Sequence, residues 1–123
     1  MKFGTVINCM DGRTQLPAID YLRREYKIEY VDSITEPGPN GILAGQENQS
    51  LVDSILQRID ISVNKHDSRL LAVVGHYDCA GNPGPKEQQI TQVKASLEFL
   101  EKRYPHIEKI GLWIDRDWVV HQL

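Results

Sequence analysis

The side chains best suited to chemistry in this chain are its two cysteines and a histidine that precedes the second of them. Cys9 follows the apolar segment 3–8, and the motif His76-x-x-Cys79 follows the apolar segment 70–74. Thiolates and imidazole are ligands that zinc prefers, and two cysteines with one histidine form a known catalytic set that leaves a coordination position open. A zinc ion bound by Cys9, His76 and Cys79 is therefore our first hypothesis.

Two charged residues follow the first cysteine closely, in the order Cys9-x-Asp11-x-Arg13. Such a pair on a loop is usually a solvated surface ion pair. Beside a metal, however, the carboxylate of Asp11 could accept a hydrogen bond from zinc-bound hydroxide and orient it, or could swing onto the metal and close the site. Arg13, bonded to both carboxylate oxygens, would hold Asp11 away from the metal.

The two cysteines could also have roles other than metal binding. Cys9 and Cys79 could form a redox pair, which would not need His76, although the chain has no Cys-x-x-Cys motif of the thioredoxin kind. A buried, inert cysteine near a loop histidine is the plainest alternative. Cysteine phosphatase chemistry would require an arginine at the position that Gln15 occupies. The phosphatase interpretation is therefore excluded, and the other two stay open.

The spacing of apolar residues predicts strands and helices that alternate along the chain. Strands are predicted over 3–8, 28–34, 70–74 and 110–114, and helices over 14–26, 46–65 and 90–104. The segment Glu36–Gly41 contains two prolines and two glycines and is predicted to be irregular. The tail 115–123 is expected to add an edge strand or to reach a second subunit.

This order of elements is typical of an α/β fold in which a central, mostly parallel sheet of four or five strands lies between helices in three layers. Right-handed crossovers favour the strand order 2-1-3-4. The first and third strands are then neighbours, and the chain leaves their carboxyl ends in opposite directions, which is where open α/β sheets bind ligands. We therefore expect the fold to bring Cys9 close to His76 and Cys79.

The length predicts a single domain, residues 1–123, and the ligand motifs make it a zinc-binding domain. Apolar residues make up 41% of the chain, and the net charge of −3 gives no basic surface for nucleic acid or for an anionic membrane. The N-terminus does not have the pattern of a signal peptide, and no apolar segment approaches the length of a membrane span. A cytoplasmic location is therefore expected, where two cysteines are more often thiols or metal ligands than a disulfide.

The two motifs together resemble the β-class carbonic anhydrases. The resemblance rests on Cys9-x-Asp11-x-Arg13 after one strand and on Gly75-His76-x-x-Cys79 after a later, apolar one. It implies a β-carbonic-anhydrase-like fold, with zinc bound by the two cysteines and the histidine. It also implies that the Asp–Arg pair controls the fourth zinc ligand, and that the activity is a zinc lyase's reversible hydration of carbon dioxide to bicarbonate.

The resemblance leaves the substrate and the assembly to be tested. The family commonly has a glycine directly after the second cysteine, where this chain has Ala80, and its pocket-lining turn differs from Glu36–Gly41. The same scaffold is known to hydrolyse carbonyl sulfide and carbon disulfide, so a zinc hydrolase of such a molecule is one alternative. A non-catalytic zinc-binding protein is another. The expected assembly is a homodimer or a larger homo-oligomer.

Overall fold

A computed structural model describes residues 2–123 as a single α/β domain. The strands are β1 (Phe3–Cys9), β2 (Tyr30–Glu36), β3 (Leu70–His76), β4 (Glu108–Ile114) and β5 (Val120–Gln122). The helices are α1 (Gln15–Tyr26), α2 (Pro39–Gly45), α3 (Gln49–Lys65) and α4 (Lys86–Arg103). None of these helices is both long enough and apolar enough to cross a membrane.

The five strands form one sheet in the order β2-β1-β3-β4-β5. The first four are mutually parallel, and β5 pairs with β4 in the antiparallel direction, with Trp113 opposite His121. The predicted order 2-1-3-4 is confirmed, and the tail forms the expected edge strand. The long α/β crossovers between parallel strands leave β1 directly beside β3.

Helices cover both faces of the sheet, as the prediction of three layers requires. Along β1, Val6 packs into a cluster with α1 and Ile7 packs into another with α2, α3 and α4. All seven residues of β3 are buried, as a strand covered on both faces should be. The two central strands are thereby packed on both faces, and their carboxyl ends lie side by side at one edge of the sheet.

The segment after β2 differs from its prediction. Pro39 begins a short helix where an irregular segment was expected, because its fixed φ suits the first helical position. The predicted helix over 46–65 is shorter than expected: Gln46 adopts a left-handed conformation, and α3 begins only after Asn48, whose Oδ1 accepts a hydrogen bond from the backbone N–H of Leu51. Strand β2 lies two residues later than predicted, at Tyr30–Glu36.

Two glycines let the loop after β2 approach the loop after β3. Gly38 has a φ of +64°, and a Cβ added there would lie 2.3 Å from the Cβ of Asn82. A Cβ added at Gly81 would lie 2.5 Å from the Cβ of Pro37. Backbone contact this close is available only to glycine. The two loops that border the carboxyl ends of β1 and β3 are therefore locked together.

We predict that Gly38→Ala destabilises the protein by at least about 2 kcal/mol, because it combines left-handed strain with a steric overlap. Gly12→Ala is a matched control, since a Cβ there meets no atom within 4 Å. It should change the free energy of unfolding by no more than about 0.5 kcal/mol. Urea denaturation of both variants measures the difference. Equal stabilities would contradict the proposed loop contact.

Candidate metal centre

The carboxyl ends of β1 and β3 bring the three predicted zinc ligands together. Cys9 is the last residue of β1, His76 is the last residue of β3, and Cys79 lies in the loop that follows. One ligand atom from each residue lies within 4.8 Å of the other two. The sulfur atoms of Cys9 and Cys79 are 3.8 Å apart and are not joined in a disulfide. Two thiols and an imidazole this close could hold a single metal ion.

Burial and hydrogen bonding fit a metal at this position. Cys9, His76 and Cys79 are 4%, 2% and 5% exposed. The Nδ1 atom of His76 lies 2.7 Å from the carbonyl oxygen of Tyr77, which fixes the ring if Nδ1 carries the proton. His76 Nε2 is then left buried without a hydrogen-bond partner. A buried polar atom without a partner is costly, and coordination of a metal by Nε2 would remove that cost.

The two thiols differ in their electrostatic environment. Burial raises the pKa of the Cys9 thiol, but the neighbouring His76 and the backbone of Asp11 and Gly38 outweigh burial and lower this pKa overall. Burial, together with the charge of Cys9, raises the pKa of the Cys79 thiol. Cys9 therefore ionises more readily than Cys79. A divalent cation would stabilise the second thiolate, since cysteine binds metals in its ionised form.

Arg13 holds the carboxylate of Asp11 from several sides. Its Nη2 donates to Asp11 Oδ2 at 2.7 Å, and its Nε lies 3.1 and 3.2 Å from the two carboxylate oxygens. The backbone N–H of Arg13 also donates to Asp11 Oδ1, at 2.9 Å. These hydrogen bonds lower the pKa of Asp11 to about 2. Asp11 is therefore ionised at neutral pH and can accept hydrogen bonds but cannot donate a proton.

Side chains at the start of α1 fix the loop between Cys9 and Asp11. Gln15 Nε2 donates to the carbonyl oxygens of Cys9 and Asp11, at 2.7 and 3.0 Å. The hydroxyl of Thr14 donates to the Asp11 carbonyl at 2.8 Å and makes no capping bond, although its position at the start of the helix suggested a cap. Gln15, which excluded cysteine phosphatase chemistry, thus has a structural role that the sequence did not reveal.

A buried polar network supports the loop that carries Cys79. Gln89 donates from Nε2 to the carbonyl oxygen of Asn82 at 2.7 Å and accepts from Asn40 Nδ2 at 2.9 Å. Asn40 and Gln89 are almost completely buried. Neither residue was predicted from the sequence, although one signal was available: Gln89 occupies the same helical face as Val93 and Leu100 and is polar at a core position.

An apolar cleft of 420 Å³ opens beside the ligand cluster. Its lining comes from the end of β1 with the loop that follows it, and from the two loops that the glycines lock together. The lining residues are Cys9, Met10, Asp11, Pro37, Ala80 and Gly81. Asp11 and Cys9 thus share one small cavity, in which the other side chains offer almost no hydrogen-bonding groups.

Comparison with known proteins agrees with this architecture. A family model described as "Putative carbonic anhydrase" matches residues 1–123. The chain belongs to this family. Its structure is similar to the crystal structure of the β-carbonic anhydrase CafA of the fungal pathogen Aspergillus fumigatus, with a TM-score of 0.60, 15% sequence identity, and coverage of 99% of this chain and 74% of that chain. At that identity the similarity shows the fold alone. A search of curated proteins found no match.

Membership of the putative carbonic anhydrase family confirms the resemblance identified from the two motifs, and the fold is also confirmed. The structure brings Cys9, His76 and Cys79 together and pairs Asp11 with Arg13, while the roles of these five residues stay predictions. Two further residues contact Arg13 and were not assigned to the site from the sequence. These residues are Asp78 and Trp118.

We predict that the full chain binds one zinc ion and that His76→Ala and Cys79→Ser each weaken binding by more than about 100-fold, because each removes a direct ligand. His106→Ala, at an exposed histidine outside the cluster, should bind zinc as the wild type does. Competition with a chromophoric chelator measures these affinities. Removing zinc should also lower the melting temperature. Unchanged affinity in both ligand variants would contradict the assignment.

Proposed function

We propose that the protein is a zinc lyase that catalyses the reversible hydration of carbon dioxide to bicarbonate. Cys9, His76 and Cys79 would hold the zinc ion. Zinc in this site would supply the Lewis acidity that makes water a nucleophile near neutral pH. The family match, the donor set and the unpartnered Nε2 of His76 support this proposal.

The observation that carries the proposal is the hold of Arg13 on Asp11. In a purely structural zinc site four protein ligands close the coordination sphere, whereas a catalytic site keeps one position for water or substrate. Asp11 lines the same cleft as Cys9, which makes its carboxylate the candidate for a fourth ligand. Both of its oxygens instead accept hydrogen bonds from Arg13. The ion pair thus favours an open site over a closed one.

In this mechanism Arg13, Asp11 and the apolar residues that line the cleft have different roles. Arg13 keeps the Asp11 carboxylate ionised and would hold it away from the zinc ion. Asp11 would then accept a hydrogen bond from the attacking water and orient it toward the substrate. Carbon dioxide is small and has no net dipole, so the apolar lining formed by Met10, Pro37 and Ala80 suits its entry.

The direct test is stopped-flow hydration of carbon dioxide by the zinc-loaded full chain, at about pH 7 and about pH 8.5. We expect zinc-dependent hydration well above the buffer rate. Asp11→Ala should lower kcat/KM by about 10- to 100-fold, because the attacking water loses its orienting acceptor. Asp20→Ala, at an exposed aspartate of α1, should leave the rate unchanged.

The alternatives predict different results in the same assay. Hydration absent at both pH values, with zinc bound, would contradict the proposal. Hydrolysis of carbonyl sulfide or carbon disulfide by that sample would then identify the related hydrolase, since the apolar cleft would admit these molecules too. Inactivity toward all three substrates would leave a non-catalytic zinc protein. The cytoplasmic location and the homodimer or larger homo-oligomer stay predictions of the sequence.

A further inference from the structure

The guanidinium group of Arg13 is held by more than Asp11. Its Cζ lies 4.3 Å from the centre of the Trp118 ring, over the face of the indole. Its Nη2 donates to the carbonyl oxygen of Asp78 at 3.2 Å, and Nη1 lies 3.4 Å from Asp78 Oδ2. Arg13 is nevertheless 45% exposed in its side chain. Its orientation therefore depends on these few contacts rather than on burial.

Both of these partners adopt backbone conformations that L-residues rarely use. Among residues 2–123, five non-glycine residues have a positive φ, and three of them follow the carboxyl end of a helix, where that conformation is common. The remaining two are Asp78 and Trp118, with φ values of 57° and 62°. Aspartate tolerates this region, but a bulky residue such as Trp118 persists there only when its surroundings enforce it, and such residues cluster at functional sites.

The turn between β4 and β5 fixes the backbone of Trp118. Asp115 Oδ1 accepts hydrogen bonds from the backbone N–H groups of Asp117 and Val119, at 2.8 and 3.0 Å. The backbone N–H of Trp118 donates to the carbonyl oxygen of Asp115 at 2.9 Å. The indole is thereby presented to Arg13 by a hydrogen-bonded turn rather than by a loose terminus.

The end of the tail is fastened independently of Arg13. The hydroxyl of Tyr21 donates to Gln122 Oε1 at 2.6 Å, and Gln122 Nε2 donates to the hydroxyl of Tyr26 at 2.8 Å. Both tyrosines belong to α1, so β5 is attached to this helix without any contact to the guanidinium. Loss of the tail's attachment and loss of the Trp118 ring can therefore be separated by mutation.

We propose that Trp118 is a positioning residue for the candidate metal centre. The indole packs against one face of the Arg13 guanidinium, and Asp78 accepts hydrogen bonds from the edge of that group. These contacts keep the hydrogen bonds from Arg13 to Asp11 in place. The turn between β4 and β5, which carries Trp118, then controls whether the Asp11 carboxylate stays bonded to Arg13 or becomes free to reach the metal. This inference rests on the proposed function for its consequence in catalysis, but the contact itself can be tested without any activity.

The test is the exchange of the Arg13 Nε–H proton with water, measured by nuclear magnetic resonance on the full chain labelled with ¹⁵N. Arg13 Nε donates to Asp11, so protection of this proton reports the integrity of the pair. Trp118→Leu should speed the exchange by about two- to fivefold, as expected for loss of a cation–π contact at an exposed site. Trp118→Phe, which keeps an aromatic face, should restore most of the protection.

Gln122→Ala is the control for a merely structural effect, because it loosens the tail from α1 and leaves the ring in place. It should leave the Arg13 exchange rate unchanged. Equal exchange in Trp118→Leu and wild type would overturn the proposal, as would a faster exchange in Gln122→Ala that matches Trp118→Leu. If the leucine variant does not fold, nuclear Overhauser contacts between Arg13 and the indole in the wild type decide, and their absence overturns the proposal.

The same variants separate this inference from the proposed function. In an active enzyme, Trp118→Leu should lower kcat/KM for hydration by about two- to fivefold, and Trp118→Phe should recover it. A protein with no hydration activity, in which the Nε–H exchange still depends on the ring, would overturn the proposed function and support the positioning of Arg13. Normal hydration in the wild type, with an Nε–H exchange that does not depend on the Trp118 ring, would support the proposed function and overturn the positioning of Arg13 by Trp118.

Discussion

The pairing of β1 with β3 is the constraint on which the candidate site depends. These strands are far apart in the sequence but run parallel and adjacent, with Val6 opposite Ala72. Both are largely buried, and the ladder between residues 5–7 and 71–73 brings their carboxyl ends to the same edge of the sheet. Cys9 and His76 are the last residues of the two strands. The hydrophobic effect that assembles the sheet thus also brings the candidate ligands together.

Around the carboxyl ends of β1 and β3, specific contacts hold the loops in place. Gly38 and Gly81 allow two loops to meet at backbone distance, and Gln15 secures the backbone between Cys9 and Asp11. The Asp11 carboxylate, beside the cluster, is held by an arginine whose side chain is 45% exposed. The proposed metal centre would then combine ligands placed by strand ends with one carboxylate whose orientation depends on Arg13.

The sequence predicted the parts of the molecule that are encoded locally. Apolar strands, helical periodicity and the rule of right-handed crossovers were sufficient for the strand order, and the two motifs then placed Cys9 beside His76. Contacts between distant loops left no comparable signal. The helix at Pro39 was missed because its prolines and glycines resemble a turn, and the contact of Trp118 with Arg13 depends on a left-handed backbone that no side-chain pattern reveals.

The most direct test of the central claim is X-ray absorption at the zinc edge, on the full chain loaded with one equivalent of zinc. A centre formed by Cys9, His76 and Cys79 predicts two sulfur ligands at about 2.3 Å, with nitrogen or oxygen ligands at about 2.0–2.1 Å. A coordination shell without sulfur would contradict the account. So would zinc-loaded protein in which the two cysteines are joined as a disulfide.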